Sequence, residues 1–373
     1  MHLPIGRWLS RIRRDVRFAA GARVPPFAPR AATRAGTAVL PTRRLVVREI
    51  VRETADAATL WLADPSGAPI PFVAGQFFTL HVRVGGETVR RAYSAMSSPR
   101  DPSRVGVTVK RIAGGRASTY LVENARAGDA FDVLGPSGSF TLAPDPAARR
   151  AIVLVGGGSG ITPLMAILGE VLAVERESRV ALVYGNRREE DVIFARALAE
   201  LARENPERFA LRHVYGAALD AARFARELDA IDAPDAEHFV CGPEPMMRVA
   251  RDVLAARGVP AEKIHEERFL SPELRAAHRA PARAGARVTV RLAGREHTVD
   301  VAPGRTLLEA GLAADVPMPF SCALGGCGAC RVRVTKGTVE MDEPTCLTSE
   351  ERAKGFALAC VGTPSDGAVV EVA

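Results

Sequence analysis

Four cysteines near the end of this 373-residue chain have a spacing that can do chemistry. Cys322, Cys327, Cys330 and Cys360 read C-x4-C-x2-C, then 29 intervening residues, then C. That is the thiolate spacing of a plant-type [2Fe–2S] cluster. Gly325, Gly326 and Gly328 stand among the first three cysteines. Such a loop can wrap tightly and aim backbone N–H groups at sulfur, which stabilises added negative charge. Structural zinc is the competing reading, but zinc sites usually carry paired short C-x2-C knuckles, and one such pair is present. Cys346 follows Cys330 after 15 intervening residues. That is too near for the distal ligand, so Cys360 is the better fourth ligand and Cys346 is expected to be a bystander near the surface.

Three further groups of residues suit anionic, planar or nucleotide ligands. In Arg91-Ala-Tyr-Ser94, strand alternation puts Arg91 and Tyr93 on one face and Ser94 on the other. A guanidinium can pair with phosphate, and a ring can lie against a flat heterocycle. Gly115-Arg-Ala-Ser-Thr119 opens a predicted helix over Ser118–Asn124, whose free N–H groups suit a pyrophosphate. Gly156-Gly-Gly-Ser-Gly-Ile-Thr-Pro163 departs from G-x-G-x-x-G, because the third required glycine falls on Ile161. It still places backbone N–H groups, the Thr162 hydroxyl and Pro163 at a helix start. Arg187 and Arg188, after the next strand, suit the extra phosphate of NADPH, so NADPH is slightly favoured over NADH. Each group alone also has an ordinary structural explanation: a plain strand, a helix cap, or a solvated pair of cations.

The elements that must position these residues fall into three units. Over 43–147 the chain reads as short strands with Pro/Gly turns (Leu45–Val51, Thr59–Ala63, Phe77–Val84, Val105–Arg111, Ala130–Leu134), which predicts an antiparallel β-barrel. Over 148–270, strands at Ala151–Val155, Val180–Tyr184, Phe209–Val214 and His238–Cys241 alternate with helices, which predicts an α/β domain with a parallel sheet. Ligands of such sheets bind beyond the strands' carboxyl ends, where the glycine loops lie. Residues 271–286 lack apolar periodicity and read as a linker. Over 287–373, strands at Arg287–Leu292, His297–Val301, Arg331–Thr335 and Val369–Val372 and a helix at Thr306–Ala313 predict a compact α+β domain around the cysteines. Glu262-x-x-His265 is a single copy of a di-iron half-motif, and such sites need two copies. It is read as structural.

Charge is unevenly spread. Residues 1–48 hold eleven Arg, no Lys and one acid, about +10 of the chain's +7, so the remainder is about −3. Only 5% of residues are aromatic. A basic face with interleaved aromatics across a folded domain is therefore lacking, which argues against nucleic-acid binding. Ile5, Trp8, Leu9, Ile12 and Val16 keep helical spacing among arginines, so residues 1–20 suit peripheral membrane contact; a flexible extension explains them equally. Residues 21–42 read as a Pro-rich linker. No stretch of 18 apolar residues predicts a transmembrane helix, and six cysteines in so long a chain suit a reducing, cytoplasmic compartment.

In this order, Arg91–Ser94, Gly115–Thr119, Gly156–Pro163, Tyr184-Gly-Asn-Arg187 and Cys241-Gly-Pro243 resemble the ferredoxin–NADP reductase superfamily. The C-terminal cysteine loop narrows the resemblance to oxygenase-type reductases with a plant-type ferredoxin domain, of the phenylacetyl-CoA epoxidase reductase kind. It covers residues 44–373, with Glu267-Arg-Phe269 as a further shared detail. The resemblance implies that Arg91, Tyr93 and Ser94 bind flavin, with Ser94 near the isoalloxazine edge, and that Gly115, Ser118 and Thr119 hold its phosphates. FAD is implied rather than FMN. It implies that Gly157, Gly158, Gly160 and Thr162 receive NAD(P)H, that Cys241 and Gly242 flank the nicotinamide, and that Phe269 packs near the flavin. Electrons would pass from NAD(P)H through FAD and the [2Fe–2S] cluster to a partner oxygenase, hydroxylase or desaturase. No acid–base catalytic residue is expected. A redox-sensing or docking module, or a membrane-associated fatty-acid desaturase reductase, would use the same cofactors. The Arg-rich arm and Cys346 lie outside the shared pattern.

Overall fold

The structure is a computed structural model that describes residues 42–216, 219–269, 285–320, 322, 323, 325–342 and 345–372. The basic arm and the linker expected at 271–286 lie outside the described residues, except for the linker's last two positions. No helix among the described residues is long and apolar enough to cross a membrane.

The first unit is antiparallel. Its strands β1 (Arg43–Thr54), β2 (Ala57–Ala63), β3 (Phe77–Val84), β4 (Glu87–Ser94), β5 (Val105–Lys110) and β6 (Ala130–Ser137) pair in the order β4-β3-β6-β1-β2-β5. A bridge between Ala95 and Val107 brings the end of β4 to β5 and closes the barrel. Buried Leu60, Leu62, Phe78, Leu80, Val105 and Val107 fill it. The helix expected over Ser118–Asn124 begins earlier, as α1 (Arg116–Thr119) continued by a wider turn over Tyr120–Asn124.

The second unit is a parallel sheet of β7 (Ala151–Gly157), β8 (Arg179–Asn186), β9 (Phe209–Tyr215), β10 (Glu237–Cys241) and β11 (Ile264–Glu267), in the order β11-β10-β7-β8-β9. Its helices are α2 (Ile161–Val174), α3 (Ala195–Glu204), α4 (Ala221–Ile231) and α5 (Glu244–Ala256). The order reverses beside β7, so the loops after β7 and β10 open at the switch point where such sheets take ligands. The apolar core below α2 does not stop at the domain boundary. Ala57, Ala74, Met96, Phe140 and Leu142 from the barrel side belong to one cluster with Ile161, Leu164 and Leu168.

The third unit pairs β12 (Ala286–Leu292), β13 (Arg295–Val301), β14 (Arg331–Lys336), β16 (Phe356–Leu358) and β18 (Val369–Val372) in the order β13-β12-β18-β14-β16. The short strands β15 (Val339–Met341) and β17 (Gly362–Pro364) pair beside it. Its two short helices start at capping boxes, in which a threonine hydroxyl and a glutamate three residues on each satisfy the other's backbone N–H. These are Thr306 with Glu309 for α6 (Leu307–Ala313) and Thr348 with Glu351 for α7 (Ser349–Ala353). The unit has its own core, in which Cys330 and Cys360 are buried beside Leu307, Leu308 and Val332.

Candidate electron-transfer site

The four cysteines of the C-x4-C-x2-C…C pattern converge as two pairs. The Cys322 N–H donates to Cys327 Sγ at 3.4 Å, and the side chains of these two residues are hydrogen-bonded. The Cys330 and Cys360 side chains are likewise bonded. Gly325 and Gly328 have φ of 68° and 72°, a region that glycine enters freely, and this turns the loop around the thiols. The Gly325 N–H donates to Cys360 Sγ at 3.1 Å. A hydrogen bond to a charged sulfur is worth about 1.5–3 kcal/mol, and it favours the thiolate that a metal requires. The hydrogen bond from Cys360 holds the Cys330 thiol low, while that bond and burial push Cys360 up. Two pairs suit two irons better than one tetrahedral zinc. The residues therefore fit a [2Fe–2S] cluster.

Cys346, expected to be a bystander near the surface, lies against the cysteine loop. It is half-buried, its N–H donates to the Gly325 carbonyl at 2.9 Å, and its thiol is pushed up to about 11, first by burial and then by Cys322 and Cys330. The residue that shapes this wall of the loop comes from the segment before α7.

Beside Cys322 lies a cavity that draws on all three units. Phe77, Ala92 and Ser94 line it from the barrel, Glu267, Arg268 and Phe269 from the end of the nucleotide unit, and Cys322 and Gly326 from the cysteine loop. Ala92 and Ser94, two residues apart on β4, share the lining face, and Ser94 is buried. Arg91 and Tyr93 take the opposite face, as alternation requires. Arg91 Nη1 donates to the Arg90 carbonyl at 2.7 Å, and Tyr93 packs against the barrel core. Phe269 is 44% exposed, so a large apolar ring stands at the cavity mouth ready to cover a flat ligand.

Glu267 is the site residue whose importance sequence reasoning missed. It sits on β11 directly opposite Cys241 of β10, and burial, followed by the charge of Cys322, pushes its carboxyl up to about 8. Burial, with Glu267 adding, raises the Cys241 thiol as well. Only sheet register reveals that pairing, because the two residues are 26 apart in sequence. The Glu262-x-x-His265 pair is structural: Glu262 is exposed, and His265 stacks on Phe239 with ring centroids 4.4 Å apart.

The nucleotide loop after β7 is built against the loop after β10. A Cβ on Gly160 would lie 2.0 Å from the Cys241 carbonyl oxygen, and one on Gly157 would lie 2.7 Å from both Pro243 and Met246. Tyr184 Oη donates to the Gly158 carbonyl at 2.9 Å, and Thr162 Oγ1 donates to the Ser159 carbonyl at 3.0 Å. The Thr162 hydroxyl thus fixes the loop itself, leaving the backbone N–H groups at the start of α2 to face a ligand. Gly242 lies against the Gly157 backbone. The Ser118 hydroxyl behaves like that of Thr162. It accepts from the Ile112 N–H at 3.2 Å and donates to the Gly115 carbonyl at 3.3 Å, closing the Gly115–Thr119 turn. Past β8, Arg188 pairs with Glu190 at 3.3 Å, while the exposed Arg187 side chain has no partner among the described residues.

These three units match three family models in the same order. An oxidoreductase FAD-binding domain model matches residues 44–142, an oxidoreductase NAD-binding domain model matches residues 154–252, and a 2Fe-2S iron-sulfur cluster binding domain model matches residues 290–365. Barrel, parallel sheet and cysteine loop together define a flavin- and nicotinamide-dependent oxidoreductase with an iron–sulfur domain. The ferredoxin reductase component of 3-ketosteroid-9-alpha-monooxygenase from Mycobacterium tuberculosis is 39% identical over 350 residues, covering 87% of this chain and 94% of that protein. One component of the 1,2-phenylacetyl-CoA epoxidase of Escherichia coli is 34% identical over 342 residues, covering 87% of this chain and 96% of that protein. The solved structure of phthalate dioxygenase reductase superposes with a TM-score of 0.63 at 26% identity, covering 88% of this chain and 98% of that one. The chain belongs to the family of reductase components of oxygenase systems that join FAD-binding, NAD-binding and [2Fe–2S] domains.

Proposed function

We propose that this chain draws electrons from NADPH and delivers them singly to a partner oxygenase, with each of the three cavity walls holding one stage of the route. The observation that carries this reading is the shared cavity: Ser94, Glu267 with Phe269, and Cys322 with Gly326 face one space from three separate units. When bound, FAD takes up the hydride's electron pair and releases single electrons, and the [2Fe–2S] cluster carries one at a time. The chain's residues bind, orient and shield. The Gly157–Gly160 loop and the start of α2 hold the nucleotide's anionic groups, and Cys241 and Gly242 form the floor beside them. Ser94 and Ala92 meet the flavin edge, Arg91 and Tyr93 join Ser94 in binding the flavin, and the Gly115–Thr119 turn holds its phosphates. Glu267, with its carboxyl pushed up by burial, lines the same space beside the cysteine loop. Phe269 covers the mouth against water. Arg187, exposed and unpaired past β8, supports NADPH over NADH. We place the unit boundaries at 147/148 and within 271–286.

The test is reduction of a protein acceptor such as cytochrome c by the holoprotein and by Cys330→Ser. The variant is expected to lose iron and acid-labile sulfide and to reduce cytochrome c at background rate. Flavin bleaching by NADPH should persist, since the nucleotide loop after β7 is built against the loop after β10 and not against the cysteine loop. Full cytochrome c reduction by a cluster-free variant would refute the route.

A further inference from the structure

Helix α2 carries a charged group where its surroundings call for an apolar one. Eleven of its fourteen residues are buried, Glu170 among them, and the Glu170 side chain is 3% exposed. Its Oε1 accepts from the Ser98 hydroxyl at 2.6 Å and from Arg100 Nε at 3.1 Å. Both donors belong to the barrel side, on the segment that leaves β4 just past Ser94. Just beyond the helix's last residue, fully buried Glu175 accepts from Arg150 Nε at 3.1 Å and from the Asp145 N–H at 3.2 Å, on the stretch joining the barrel to β7. The other end of α2 is the Gly158–Gly160 turn, which lies against β5 of the barrel. One helix therefore bears the nucleotide loop at its start and is bonded to the continuation of the flavin strand near its end.

Stability does not account for Glu170. The desolvation of a buried carboxylate offsets its attraction to a partner, and a packed apolar side chain of similar volume serves stability as well. What two donors on one oxygen supply is direction: they admit one register of α2 against the barrel, where apolar contacts alone tolerate a slide. We propose that Glu170 is a positioning residue for hydride transfer, its bonds to Ser98 and Arg100 setting the spacing between β4 and the Gly157–Gly160 loop. The inference rests on the reading that a hydride passes from that loop to the flavin face. A misplacement of about 1 Å costs such a transfer about 10²-fold.

The experiment uses the full-length holoprotein with FAD and iron quantified. Glu170→Gln removes the charge, Ser98→Ala removes one donor, and the double variant Ser98→Ala/Glu170→Met removes the pair and refills the volume. In each, stopped-flow flavin reduction at saturating NADPH should fall about tenfold or more. The half-saturating NADPH concentration and FAD content should hold in each, and the thermal midpoint should hold in the double variant. The absorbance change on adding NADP+ to the oxidised protein, which reports nicotinamide stacked on flavin, should weaken in parallel. Should Glu170→Gln not fold, Ser98→Ala carries the same two readouts. Unchanged rates and difference spectra overturn the proposal, as does a loss that only tracks FAD content. If the unaltered holoprotein fails to bleach with NADPH or NADH, the functional reading falls, and this inference with it.

Discussion

The barrel and the nucleotide unit meet differently from the way either meets the cluster unit. Between the first two, apolar side chains run into a single core, with Met96 and Phe140 in one cluster with Leu164 and Leu168, and the buried carboxylates of Glu170 and Glu175 bond across the join. The cluster unit keeps a core of its own, and the cavity beside Cys322 is where it shares a wall with the other two. The contrast follows from what each junction must pass. A hydride moves as a nucleus and requires reacting atoms held within a fraction of an ångström. A single electron needs proximity and a suitable potential, so a lighter contact serves.

Substitutions on either side of that contrast should separate the two junctions. The largest effect is expected from Gly160→Ala. Its new Cβ would collide with the Cys241 carbonyl, overpacking of a kind that costs about 1–3 kcal/mol. Thermal unfolding should show a midpoint lower by about 2–4 °C or more, and NADPH should bleach the flavin slowly, while iron content stays at the unaltered level. Equal loss of iron would break the comparison. Arg187→Ala should act on one substrate only. Removing one charge-assisted contact of about 1.5–3 kcal/mol predicts a kcat/KM for NADPH lower by at least about tenfold, with that for NADH unchanged. A matched fall for both nucleotides would place Arg187 outside the phosphate subsite.

The smallest effect concerns pH. His238 on β10 is buried, and burial, aided by the nearby Lys263 and His265, lowers its pKa from 6.5 to about 4. The folded state thus favours the neutral ring. Its contribution to stability is complete above pH 6.5 and is lost as pH falls from there toward 4. Thermal midpoints should decline by a few degrees across that window, and His238→Gln should flatten the decline. An acid limb identical in both proteins would assign it to other groups.

What was legible in the sequence was local. The cysteine spacing and the glycine loops after β7 and in the cluster unit declare themselves within a few residues. The barrel and the parallel sheet follow from strands and helices whose patterns are each complete in one stretch. Helix α4 was missed although Asp220 caps it by accepting from the Arg223 N–H at 2.7 Å, because its buried stripe is thin: Phe224 and Leu228. The capping box at Thr348 and Glu351 was readable and marks a helix of only five residues. Pairings across long sequence separations were not legible. Glu267 gains its role from register with Cys241, and Glu170 from donors 72 and 70 residues away. The turn bonds of the Ser118 and Thr162 hydroxyls, to the Gly115 and Ser159 carbonyls, were equally out of reach of the sequence pattern.

The central claim is that a pair of electrons enters at the nucleotide loop and leaves one at a time through the cysteine loop. Anaerobic titration of the reconstituted holoprotein with NADPH, followed by absorbance and electron paramagnetic resonance, tests it most directly. The account predicts uptake of about three electrons per chain, two at FAD and one at the [2Fe–2S] cluster. A protein that bleaches its flavin with no iron-centred signal, or that holds no iron and acid-labile sulfide after reconstitution, would contradict it.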